Sequence, residues 1–323
     1  MQHDDESPSY HGQVGPNHKG QAHGTPVRET DMTSAVIEPR TQAPSPVVDG
    51  GPDYSGSDIR SYRNALSLRF EELNALLAID GDHQWEREAG QRSTGTFVML
   101  ELLLMEQFVE DLTRAEIAAV LADAPEPAAV VGGRVVLEAL ETQDEFQAAY
   151  PRAVTRRDGF AYPVSLQQVA AGRAAAELSR RGYNVEVYRT DGRRGDLRVR
   201  RLAAGLLKKE TADLLGSNAK KYDMVERGKS AAPSGMIAEL QAVDDFIEQA
   251  AARLPVTSTD DADVVFMTDD FREFQRAFPQ ARTRRDGRAY PSRVLAIAAV
   301  RRARAMMADS GRPIRIHSVS QSN

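Results

Sequence analysis

The hydrophobic positions of this chain follow a helical period over most of its length and a strand-like pattern in four short runs. From residue 57 onward Ile59, Tyr62, Leu66, Leu73, Leu76 and Leu77 fall at spacings of three, four and seven, which lines one face of an α-helix. Beyond a polar break, Val98, Leu102, Met105, Val109 and Leu112 make one stripe on a long helix. The same register returns 138 residues later in Met236, Leu240, Val243, Ile247 and Ala250. The runs RVVLEAL (134–140) and DVVFMT (263–268) predict strands. Each leads into a short amphipathic helix carrying Phe146 or Phe274, then an alanine-rich helix near 164–181 or 292–310, then a closing strand, VEVYR or IRIHS. Gly182 and Gly311 stand where helix C-termini favour glycine.

The pattern recurs because the sequence does. EFQAAYPRAVTRRDGFAYP aligns with EFQRAFPQARTRRDGRAYP, so Phe146, Pro151, Arg156, Arg157, Asp158, Gly159, Tyr162 and Pro163 return as Phe274, Pro279, Arg284, Arg285, Asp286, Gly287, Tyr290 and Pro291. This internal duplication predicts an α+β, mostly helical chain of two repeats, each a helical subdomain followed by a small β-α-α-β subdomain. Pro125 and Pro127 mark the joint in the first copy. Residues 1–57 are rich in Pro, Gly, Ser, Asp and His without an apolar period; such a segment buries too little surface to offset its chain entropy, and a disordered tail is expected.

A chain of 323 residues has room for two ordinary domains or several small ones. Its formal net charge of -6 argues against a general polyanion coat and leaves a local basic face open. No apolar run approaches the roughly 18 residues of a membrane span, and the opening MQHDDESPSYHGQ has no signal-peptide pattern, so a cytoplasmic protein is expected. Without cysteine there are no disulfides, thiolate zinc sites or thiol nucleophiles. His3, His11, His18 and His23 lie in the expected tail at no ligand spacing, so neither metal nor cofactor is expected. There is no Walker loop and no dinucleotide fingerprint. Asp158 and Asp286 could act as acids, but no neighbouring group supports a mechanism, and an enzyme is not expected.

The stretch AGLLKKETADLLG, with Leu206, Ala212 and Leu215 facing inward and Gly216 at the turn, precedes SNAKKYDMVERGKS, where Tyr222 and Val225 would be buried. These residues resemble the helix-turn-helix of the lambda-repressor-like (Xre) family. In that geometry the start of the second helix enters the major groove while flanking donors grip phosphates. The resemblance implies Asn218, Lys220 and Lys221 at base edges or adjacent phosphates, with Asp223 beside them, and Lys208, Arg227 and Lys229 on phosphates. Arg198, Arg200 and Arg201 would extend the basic surface. Asn can pair with adenine and Lys can donate to guanine, each good pair giving about 1–3 kcal/mol of discrimination. A solvated helix face is the plain alternative for such charges. Leu207 stands where the family commonly has a capping Thr.

The first helical unit aligns at the same offset but carries Asp80, Asp82 and His83 at the positions of Asn218, Lys220 and Lys221. Phosphate would repel those carboxylates, so this copy is expected to be degenerate, with only Arg60, Arg63, Arg69, Arg87 and Arg92 left to touch DNA. Leu103 and Leu104 replace Gln241 and Ala242, and this wider stripe points to cover by the other half, self-association through helix 98–112, or a larger local core.

A helix-turn-helix, a long helix and a β-α-α-β tail together are similar to the anti-CRISPR-associated (Aca) autoregulators, most clearly over SNAKKYDMVERGKSAAPSGMIAELQAVDDFIEQ. The resemblance implies a repressor of transcription that binds double-stranded DNA, with the two β-α-α-β pieces pairing as a pseudo-dimer. The expected pieces are a tail (1–57), a degenerate helix-turn-helix (58–125), a β-α-α-β piece (126–192), the DNA-binding helix-turn-helix (193–255) and a second β-α-α-β piece (256–323). In the TRRDG turns, Arg156, Arg157, Arg284 and Arg285 either contact phosphates or pair with acidic residues where the two like subdomains meet, with Tyr162 and Tyr290 beneath. The second use is favoured because a symmetric contact employs one surface twice. A protein-interaction module without DNA contacts is the alternative function.

Overall fold

The computed structural model describes residues 54–319. Ser55 and Asp58 cap the first helix reciprocally: the Ser55 N–H donates to Asp58 Oδ2 (2.7 Å) and the Asp58 N–H to Ser55 Oγ (3.4 Å). Helix α1 (Gly56–Ala65) therefore begins inside the stretch expected to be tail, whose first 53 residues lie outside the described ones. Then follow α2 (Phe70–Leu77), α3 (Gly81–Glu88), α4 (Thr96–Asp123), β1 (Val135–Ala139), α5 (Gln143–Ala149), α6 (Ser165–Arg180) and β2 (Val185–Arg189). The same succession returns as α7 (Asp196–Ala203), α8 (Lys208–Leu214), α9 (Ala219–Glu226), α10 (Ser234–Arg253), β4 (Asp263–Met267), α11 (Phe271–Ala277), α12 (Val294–Ser310) and β5 (Ile314–Ser318), with one added strand, β3 (Val256–Ser258). The chain is α+β and mostly helical, as its periodicity predicts. The offset between copies drops after the long helix because α4 has 28 residues and α10 has 20.

Backbone conformation recurs even where residue type does not. Ser67 (φ 52) and Ala78 (φ 48) are the non-glycine residues with positive φ among those described, and the positions 138 further on are Gly205 (φ 63) and Gly216 (φ 58). Glycine enters this left-handed region without a Cβ clash, so the second copy makes the same two turns without strain.

The halves interlock. Helix α6 packs on its own long helix α4 and on α7; α12 packs on α10 and on α1. Small residues permit the approach: a Cβ on Gly172 of α6 would lie 2.2 Å from the Val199 carbonyl oxygen of α7. Each alanine-rich helix is also tied to its long helix by a buried ion pair, Arg173 to Glu106 (2.5 Å) in the first half and Arg301 to Asp244 (2.6 Å) in the second. Across the halves, Arg304 reaches Glu110 of α4 (2.6 Å), and Arg180 reaches Asp244 of α10. One hydrophobic cluster runs through both copies, and the described residues fall in one compact unit. The expected boundaries at 125, 192 and 255 thus separate recurring pieces that share a core.

Strands β1 and β2 pair in parallel; β4 pairs in parallel with β5 and antiparallel with β3. These are two separate sheets, so the two β-α-α-β pieces do not share one. The apolar faces of α6 and α12 are covered by the first helix of the other half instead. No helix among the described residues is long and apolar enough to cross a membrane.

Candidate nucleic-acid interface

Helices α8 and α9 meet through Gly216, and their inward residues Leu206, Ala212, Leu215, Tyr222 and Val225 are all buried, as their spacing predicts. Leu207 offers no side-chain cap, yet its N–H donates to Glu210 Oε2 (2.9 Å), so half of a capping box survives. The far end of α9 is pinned to α7 by Arg201, which bonds Glu226 (2.5 Å) and the Leu206 carbonyl oxygen (2.8 Å). Arg63 does the same in the first copy, bonding Glu88 (2.7 Å) and the Leu68 carbonyl oxygen (3.2 Å).

Asn218 caps α9: its side-chain oxygen accepts the Lys221 N–H at 2.8 Å. Half of its amide is thus engaged, whereas a bidentate adenine contact would need both halves. Lys220 and Lys221 follow in the first turn, exposed and without an ion pair to any described residue; Lys209 and Lys229 are alike in this. Lys208, by contrast, pairs with Asp223 (3.2 Å) and Glu226 (2.9 Å), and Arg227 pairs with Asp223 (2.8 Å). Lys208, then Arg227, hold the Asp223 carboxyl below its usual range. The expected site therefore divides into free lysines at the start of α9 and an internally paired trio, Lys208, Asp223 and Arg227.

The three arginines of α7 do not extend this surface. Arg198 bonds Glu141 (3.2 Å), Arg200 bonds Gln241 Oε1 (2.6 Å) and Ser179 Oγ (3.1 Å), and Arg201 is the buried partner of Glu226. Arg200 and Arg201 are buried where α7 is wedged between α6 and α10, and Arg198 lies half-buried against Glu141.

In the first copy Asp80 caps α3 through the Asp82 N–H (2.9 Å), and Asp82 and His83 are exposed. Buried Gln84 occupies the position of Tyr222, and Trp85 is 57% exposed where the second copy has Asp223. Of the arginines expected to be available for DNA, Arg60, Arg63, Arg69 and Arg92 pair with Asp269, Glu88, Glu72 and Glu86. Two Arg87 side-chain nitrogens are buried without a hydrogen-bond partner.

The TRRDG turns join the two pieces within each repeat. Arg157 Nη2 donates to the Leu77 carbonyl oxygen (2.5 Å), and Arg285 Nη2 to that of Leu215 (2.8 Å), at the ends of α2 and α8. A glutamate on each long helix accepts backbone N–H groups of the turn: Glu101 from Arg156 (2.7 Å), and Glu239 from Arg284 (3.0 Å) and Arg285 (2.8 Å). Tyr162 and Tyr290 are buried beneath, as expected. Arg157 and Arg285 therefore make these side-chain contacts inside their own copies, while the side chains of Arg156 and Arg284 are exposed.

A further signal lies in the choice of cation. Five of the six lysines fall between Lys208 and Lys229, while arginine serves as the cation almost everywhere else. A strongly hydrated ammonium on a flexible stem suits an exposed, adaptable charge, and a planar guanidinium suits a fixed pair with a carboxylate or phosphate. Among the described residues no cluster of His, Asp and Glu could hold a metal ion. No protein-family model matches the chain, and no curated protein matches it in sequence.

Proposed function

We propose that this chain is a sequence-specific regulator of transcription, a repressor, that binds double-stranded DNA through a lambda-repressor-like helix-turn-helix formed by α8 and α9. The observation that carries the reading is the pair Lys220 and Lys221: adjacent, exposed and free of ion pairs at the start of α9, where such a helix would meet the major groove. Lys209 and Lys229 add phosphate contacts. Asn218 serves first as the cap and offers its remaining N–H groups to DNA. Lys208 and Arg227 reach phosphate only by sharing Asp223.

In this reading the chain is a pseudo-dimer of two helix-turn-helix units, held by reciprocal docking of each alanine-rich helix on the other half. Only one unit reads DNA. The protein acts in the cytoplasm, on the nucleoid when bound. Selecting sites from a random duplex pool with the full chain should enrich one motif with a single dominant half-site. Failure to enrich any sequence would sink the regulator reading.

A second reading, a protein-interaction module, is favoured by Trp85, which stands exposed beside Asp82 on α3. Exposed tryptophan is common at contact hot spots. Helix 98–112 is a weaker basis for self-association, since Val98, Leu102, Met105, Val109 and Leu112 are buried by this chain, leaving Leu103 and Leu104 half-buried.

A further inference from the structure

Three aligned differences between the copies converge on one spot beside the α8–α9 turn. Gly216, Gly235 and Arg288 in the second half correspond to Ala78, Phe97 and Phe160 in the first. In the first half the Phe97 ring lies 4.2 Å from the Arg157 guanidinium and covers one of its faces, while Phe160 is exposed. In the second half a Cβ on Gly235 would meet nothing within 4 Å, so the face of Arg285 has no such cover. Arg285 Nη2 lies against Gly216, 2.3 Å from where a Cβ would sit, and Arg157 makes the equivalent carbonyl bond beside Ala78 in the first half. Where the first copy shows an aromatic ring, the second shows another guanidinium.

These guanidiniums are held in place. Arg285 bonds the Leu215 carbonyl oxygen (2.8 Å) and Asp286 (3.0 Å); Arg288 bonds Asp286 (2.9 Å) and the Asp213 carbonyl oxygen. One carboxylate and two carbonyls at the end of α8 thus orient both, yet each side chain stays about half exposed, at 54% and 49%. Arg284 is exposed beside them with no side-chain ion pair to a described residue. Its backbone N–H is anchored on Glu239 (3.0 Å).

We propose that Arg284, Arg285 and Arg288 form a phosphate clamp that grips the sugar–phosphate backbone of duplex DNA next to the turn leading into α9. The proposal rests on the DNA-binding reading above. Guanidinium forks match phosphate oxygens with paired N–H donors, and groups already fixed in place lose less side-chain freedom on binding. The first copy lacks both the clamp and the lysines: its turn keeps Arg156 and Arg157, but Phe97 and Phe160 make the site apolar.

The test uses the full chain and sheared genomic duplex DNA, with affinity followed by anisotropy across a salt series. The double variant Arg284→Ala, Arg288→Phe should flatten the slope of log affinity against log salt by about 2, at roughly 0.9 for each phosphate no longer neutralised. Gly235→Phe, which restores the ring over Arg285 without removing a charge, should weaken binding, and Arg156→Ala should change nothing. Thermal melts matching wild type would confirm that each variant folds. A double variant with the wild-type slope overturns the clamp and leaves the helix-turn-helix reading standing. A wild-type chain that does not bind duplex DNA overturns both.

Discussion

Ala78 holds a left-handed backbone conformation (φ 48) that costs a residue with a Cβ about 1 kcal/mol or more. Its counterpart Gly216 carries no such cost. Ala78→Gly should therefore raise stability by about 0.5–1 kcal/mol, after allowing for the greater chain entropy of glycine. A urea midpoint that stayed put or fell would contradict this. Glu116 offers a pH signature. Its Oε2 is buried without a hydrogen-bond partner and its Oε1 lies 3.4 Å from Gln167 Nε2, and burial pushes its pKa up to about 8. The folded value exceeds the unfolded one of about 4.3, so the folded chain binds the proton more tightly. The stability linked to this group is full below about pH 4 and is lost as pH rises through about 8. Glu116→Gln should flatten that decline across about pH 4–8; parallel stability profiles for the two proteins would contradict it. Which charges are free was not legible at this scale. Lys220 and Arg201 look equally available in sequence, but Arg201 finds Glu226, and that pairing depends on how α7 and α9 fold together.

The long helices were legible as elements because their stripes are long: the residues predicted to face inward on α4 and α10 are buried. The α8–α9 unit was legible through its turn, where Gly216 falls between two apolar registers. Strand β3, three residues long, carries too little pattern to be seen. The ion pairs joining helices could not be read either, since Arg173 and Glu106 lie 67 positions apart. Arg173→Met should leave the Glu106 carboxylate buried without its cation and cost about 3–5 kcal/mol. Arg69→Ala, which removes an exposed pair with Glu72, should cost under about 1 kcal/mol. Comparable losses measured by denaturant titration would mean that the buried pair is not what ties α6 to α4.

For the whole molecule, the duplication announced itself in sequence, but the way the halves meet did not. A repeat fixes what recurs; it does not say whether like pieces pair with each other or dock crosswise. Here α12 covers α1 and α6 covers α7, so neither half buries its alanine-rich helix alone. The halves should therefore unfold together. Trp85, the single tryptophan, lies in the first half, so its fluorescence and far-UV circular dichroism should give coincident urea transitions, whereas separate midpoints would mean independent halves. The proposed functional asymmetry also belongs to this scale: one frame presents lysines at the start of α9 and carboxylates at the start of α3. Its most direct test is a mobility-shift titration on selected duplex DNA across salt, comparing wild type with Lys220→Ala, Lys221→Ala and with Asp82→Ala, His83→Ala. The lysine pair should weaken binding and reduce the salt slope by about 2, while the first-copy pair leaves both near wild type. Equal losses from the two double variants, or no binding by wild type, would contradict the account.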